Sequence, residues 1–143
     1  MESQHNWTVF IDGSAVPNPG RMRIGGVAYP ASGASAIWFS RGLNGVGCNN
    51  EAEALAAIHA LQWIRDEQQA THLVLCTDNS ILAEQLRLPH PKRIERLASL
   101  YDKARTLLSL FESVEVRWIP RHRNAVADAL ARGDWEAAGV PAQ

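Results

Sequence analysis

The chain of 143 residues carries 14 Lys and Arg against 15 Asp and Glu, for a formal net charge of −1, with 46% hydrophobic residues and 2 cysteines. That length sustains a core without disulfide or metal staples, and the absence of any composition break predicts one domain over residues 1–143. The neutral balance excludes capture of a polyanion by a strongly positive whole-molecule field, leaving local basic clusters or metal ions to do it.

In chain order, Trp7, Val9 and Ile11 alternate as one face of a strand over residues 7–12, which ends at Asp12 before the brake GSAVPNPG. The polar start MESQHNW lacks a signal-peptide core and no apolar run is long enough to span a bilayer, so a soluble cytoplasmic protein without a membrane partner is expected. Residues 23–29 and 36–41 follow as strands after Gly and Pro punctuation, which predicts an antiparallel meander. In NNEAEALAAIHALQWIRDE, Ala54, Ala57, Ile58, Leu61 and Ile64 recur at helical spacing, with Asn50 placed to cap the first turn. His72–Thr77 reads as a central strand covered on both faces, ending at Asp78, and its Cys76 is a core residue, while Cys48 lies in a Gly-rich loop. Helices are expected over Ser80–Leu86 and Arg93–Phe111, a strand over Val114–Ile119, and a last helix from Asn124 toward Gly139 and Pro141. Five strands in this order predict an α/β fold with a mixed sheet: an antiparallel meander, then parallel strands joined by helical crossovers.

Sites in such sheets lie beyond the carboxyl ends of parallel strands, where Asp12 and Asp78 both fall. Glu53 stands one turn before Ala57, at the edge of the apolar stripe, and Asp128 lies in the first turn of the last helix. Each acid has an ordinary structural reading: a turn former for Asp12 and Asp78, a helix N-terminal acid for Glu53, an i,i+4 partner of Arg132 for Asp128. If the long helix crosses the sheet near the ends of the first and fourth strands, however, Asp12, Glu53 and Asp78 converge and Asp128 closes the group. Carboxylates gathered in this way repel one another unless neutralised, and their hard oxygens suit Mg²⁺ or Mn²⁺.

FIDGSAVPNPG, NNEAE, LCTDNS and WIPRHRNAVADALA, in this order on these elements, make the chain resemble type 1 ribonuclease H along nearly its whole length. The resemblance implies a ribonuclease H-like fold and an endonuclease that cuts the RNA strand of RNA/DNA hybrids with two metal ions, leaving 5′-phosphate products. It implies that Asp12 and Asp128 hold one ion, that Asp12, Glu53 and Asp78 hold the other, and that Gly13 lets the backbone approach substrate. Asn18, Asn49 and Asn50 match positions that read the RNA minor groove and its 2′-hydroxyls. Ser14, Cys48, Ser80, Arg121 and Asn124 are further expected substrate contacts, His122 is the candidate for a histidine that helps product release, and a monomer is expected.

The chain departs from many bacterial members in having only LRLPHPKRIERL where they carry a long basic insertion, which makes it similar to compact, archaeal-type members. Cys48 stands where the family often has a phosphate-holding threonine, and Val46 where some members have arginine. Phosphate binding then falls to Arg121, Arg123, Lys92, Arg93 and Arg96. Two other readings remain open at this stage: a same-fold nuclease that also cuts double-stranded RNA, and a nucleic-acid-binding module that has lost catalysis.

Overall fold

The computed structural model describes residues 5–140. Five strands, β1 (Asn6–Val16), β2 (Gly20–Pro30), β3 (Ile37–Gly47), β4 (His72–Thr77) and β5 (Ser113–Trp118), form one sheet in the order β3-β2-β1-β4-β5. β2 runs antiparallel to β1 and β3, whereas β1, β4 and β5 are parallel neighbours. The mixed sheet matches the expectation. The three N-terminal strands outrun the alternation read from sequence, because the Gly-rich segments that blur the pattern still pair across the β1-β2 and β2-β3 hairpins.

The helix α1 (Asn49–Gln68) packs on one face of the sheet and against α3 (Ala98–Leu108). Its Ala54, Ala57, Leu61 and Ile64 are buried with Val9, Ile11, Leu73 and Leu75, each large aliphatic side chain contributing about 1.5–3 kcal/mol. Ala52, Ala56 and Ala60 are buried as well, since helix and sheet enclose α1 from two sides. On the opposite face, α4 (Ala125–Arg132) sets Ala129 and Leu130 against Phe10 and Val27. α2 (Ser80–Arg87) and the short α5 (Trp135–Ala138) complete the fold.

Three local expectations are corrected. The N-cap of α1 is Cys48, not Asn50: Cys48 has extended backbone and its thiol accepts from the Glu51 N–H at 3.4 Å. The helix read over Arg93–Phe111 is a 3-10 turn at Glu95–Leu97 followed by α3, since the chain after Pro91 has only Leu97 and Ala98 to bury before Tyr101. The last helix breaks at Gly133, whose positive φ of 75° ends α4 and leaves Asp134 to cap α5 through the Ala137 N–H. Among the described residues no helix is long and apolar enough to cross a membrane.

Candidate active site

Parallel pairing of β1 with β4 stops at Phe10 and Cys76; two residues further on each chain stand Asp12 and Asp78. The strands part there, and α1 enters the opening with its first turn. A Cβ on Gly13 would fall 2.4 Å from the carbonyl of Ala52, so the glycine at this position lets α1, rather than a substrate, come close to β1. The Gly13 N–H donates to Glu53 Oε1 at 3.2 Å, fixing that side chain toward the strand ends.

Asp12, Glu53 and Asp78 each present a carboxylate oxygen within 4.8 Å of the other two. Asp12 is 6% exposed and Glu53 4%. Burial, with the charges of Asp78 and Asp128 adding to it and the Glu53 hydrogen bond opposing, pushes the Asp12 carboxyl up from 3.8 to about 6. Burial and the neighbouring Asp12 carry Glu53 well above the usual carboxylate range. Asp78 is raised by burial too, against a hydrogen bond from Asn124 and the charge of Arg121. Asp128 lines the same cleft of about 360 Å³, and its Oδ2 accepts from Arg132 Nε at 3.2 Å, the i,i+4 pair expected from sequence.

The donor set fits a divalent cation. All donors are hard oxygens, and Glu53 Oε2 is buried without a hydrogen-bond partner, which costs free energy that a cation recovers. Among the described residues, Arg121 is the one cationic side chain in the lining of the cleft.

Of the other expected contacts, Gly13, Ser14, Asn49 and Asn50 line the cleft with Arg121. Asn49 and Asn50 also brace it: Asn49 Oδ1 accepts from the Ala15 N–H at 2.8 Å, and Asn50 Oδ1 accepts from Asn79 Nδ2 at 3.0 Å. Asn18 accepts from the Asn49 N–H and stands outside the lining, as do Cys48 and Ser80. Asn124, 1% exposed, braces the site: its Nδ2 donates to the Ile11 carbonyl at 2.8 Å and to Asp78 Oδ2 at 3.1 Å, tying α4 to both strand ends. His122 lines a separate hollow with Phe10, Tyr29 and Arg123. Arg93 pairs with Glu95, and Arg96 donates to the Cys48 thiol at 3.4 Å. Two participants escaped the sequence reading: Asn79, which caps α2 through the Leu82 N–H while lining the cleft, and Trp118, whose indole N–H donates to the Asp78 carbonyl. An Asn after the strand-end acid was the available signal for the first.

Residues 10–133 match the family described as reverse transcriptase-like. The bifunctional protein Rv2228c of Mycobacterium tuberculosis is 31% identical over 138 residues, covering 94% of this chain and 36% of that protein, so the chain spans about a third of its length. The solved N-terminal RNase H domain of Rv2228c, at 28% identity, covers 94% of this chain and 96% of that one with a TM-score of 0.81. RNase H1 from the halophilic archaeon Halobacterium salinarum gives a TM-score of 0.83 at 27% identity, over 92% of this chain and 98% of that one. A ribonuclease H of Nitratidesulfovibrio vulgaris is 29% identical over 161 residues, covering 97% of this chain and 95% of its own. With the acidic cleft lying inside the matched span, the chain belongs to the reverse transcriptase-like family and is a ribonuclease H-like domain.

Proposed function

We propose that this domain is a divalent-metal-dependent endonuclease that hydrolyses the RNA strand of RNA/DNA hybrids, with two Mg²⁺ or Mn²⁺ ions and 5′-phosphate products. The observation that carries the reading is the convergence of Asp12, Glu53 and Asp78, with Asp128 across the same cleft. When bound, such ions supply Lewis-acid stabilisation of phosphate oxygens and activation of water, typically as a pair about 3.5–4 Å apart. Asp12, Glu53 and Asp78 would hold one ion, and Asp12 with Asp128 the other.

The remaining residues hold this arrangement. Gly13 and Asn124 orient Glu53 and Asp78 through the hydrogen bonds described above. Arg121, on the rim, is placed to receive a phosphate, and Asn49 and Asn50 to meet the 2′-hydroxyls that distinguish RNA from DNA. All four carboxylates come from one chain, so the site needs no second copy. Buried carboxylates left to repel one another have no use in a module that only binds nucleic acid, which favours a working enzyme over a retired one.

The test is cleavage of matched hybrid, RNA duplex and DNA duplex, labelled on each strand in turn, with Mg²⁺ or Mn²⁺. Cutting confined to the RNA strand of the hybrid is expected. Equal cutting of the RNA duplex replaces the hybrid-specific reading by the broader one, and no cutting of any RNA strand overturns the assignment.

A further inference from the structure

A second cavity, of about 470 Å³, opens beside the acidic cleft on the α4 face of the sheet, and Ser14 lines both. Its walls carry Arg21, Arg23 and Arg132. The sheet register explains their grouping. Asp12, Ser14 and Val16 point to one face of β1, and opposite them on β2 stand Gly25, Arg23 and Arg21 in turn. One sheet face therefore passes from carboxylate to arginine within two side-chain steps, about 7 Å each.

Arg23 is fixed before any ligand arrives. Its Nε donates to the Ala131 carbonyl at 3.2 Å and its Nη2 to Ser40 Oγ at 3.1 Å, tying β2 to the end of α4 and to β3. Nη1 lies on the side of Gly42, where a Cβ would approach it to 3.1 Å, and Gly42 lines the cavity. Among the described residues, no carboxylate stands within 4 Å of the Arg21 or Arg23 guanidinium. Arg132 reaches Asp128 at 3.2 Å and Asp134 at 3.7 Å, so it joins the wall of this cavity to a carboxylate of the acidic cleft. Val16, 74% exposed, supplies an apolar wall that an inorganic anion does not need and a sugar or base does.

We propose that this cavity binds a phosphodiester group of the nucleic-acid strand whose neighbouring segment lies at the carboxylate cluster. The proposal rests on the functional reading above. A phosphodiester chain is the ligand that suits both halves of this sheet face, meeting the acidic half through divalent cations and the basic half directly. It also supplies a local basic cluster, Arg21, Arg23 and Arg132, by which a chain of net charge −1 holds a polyanion.

The experiment measures binding of a fluorescein-labelled 18-base-pair hybrid by anisotropy across a salt series, in an Asp12→Asn background with Mg²⁺, for Arg21→Glu and for Arg65→Glu. Arg65 lies in the last turn of α1, away from Glu53 in the first, and its replacement makes the same charge change. Arg21→Glu is expected to raise Kd about tenfold and lower the log-log salt slope by about 0.9, while Arg65→Glu stays within about twofold of its parent. Equal effects of the two variants overturn the cavity site. Cleavage of the hybrid by the unmodified chain is read separately: if it fails, the functional reading fails, and the binding comparison, which needs no cleavage, still decides the cavity. A site for free anions instead gives an Arg21-dependent response of the Met22 methyl resonance to inorganic phosphate with hybrid affinity unchanged, and that result also overturns the proposal.

Discussion

Replacing Asp12 by Asn makes the metal-free protein more stable while removing its response to divalent ions. The folded-state carboxyl of Asp12 lies at about 6 against an ordinary 3.8, so between these values the folded chain binds more protons than the unfolded one and stability falls as pH rises. The rise corresponds to about 3 kcal/mol of lost stability above pH 7, shrinking to about 1 kcal/mol near pH 4.5. Asn cannot ionise, and its amide can donate to the Glu53 carboxylate, so the variant recovers up to that amount. At about 2–4 °C per kcal/mol, the melting temperature in EDTA at pH 7.5 rises by up to about 10 °C, and by much less at pH 4.5. Mg²⁺ reverses the order, because a ligand bound only by the folded state stabilises it by RT ln(1 + L/Kd) at free ligand concentration L. Thermal unfolding at the two pH values, with EDTA and with Mg²⁺, reads all of this. A variant no more stable than its parent in EDTA at pH 7.5, or equal Mg²⁺ responses from both proteins, refutes the reasoning.

Gly13→Ala places a methyl 2.4 Å from the Ala52 backbone and forces α1 off β1; a loss of more than about 3 kcal/mol is expected in chemical denaturation, and an unchanged midpoint contradicts the packing described. Asn124→Ala removes the donor shared by Ile11 and Asp78, costs about 2–3 kcal/mol, and lets the Asp78 carboxyl rise further, so the acid limb of the cleavage pH profile moves to higher pH; a profile that stays in place leaves Asn124 without a role at the site. A basic segment grafted between Leu88 and Arg93 adds phosphate contacts next to α2, each steepening the log-log salt slope of hybrid binding by about 0.9, and an unchanged slope shows that the nucleic acid does not pass that side.

The acids were legible in the sequence because their positions follow from local pattern. Asp12 and Asp78 end runs that read as strands, and Glu53 is locked by helical period to the stripe that buries Ala57 and Leu61. Their convergence needs only the common crossover from β1 through the hairpins and α1 to β4. What the sequence hid depends on contacts between distant segments. Asn124 looks like a helix-opening residue, and only the packing of α4 against Ile11 and Asp78 makes it an internal brace. Asn50 precedes the apolar stripe as a cap should, yet the chain turns two residues earlier, at Cys48, because β3 continues through Gly42 and Gly45 to Gly47. No local pattern marks Arg21 and Arg23; only the β1-β2 register sets them on the same face as Asp12. Gly13 was read as an opening for substrate; the helix backbone that fills the space comes from 39 residues further along, at Ala52.

The central claim is that the four carboxylates act by holding divalent ions on the scissile strand of a hybrid. Its most direct measurement is the single-turnover rate of RNA-strand cleavage as Mg²⁺ is raised from a chelated start, for the unmodified chain and for Asp12→Asn. The account predicts no cleavage in EDTA, a rise steeper than first order in Mg²⁺ at low concentration, as two ions require, and no cleavage by the variant at any concentration. Cleavage that survives chelation, or an Asp12→Asn protein that cuts at the rate of its parent, contradicts it.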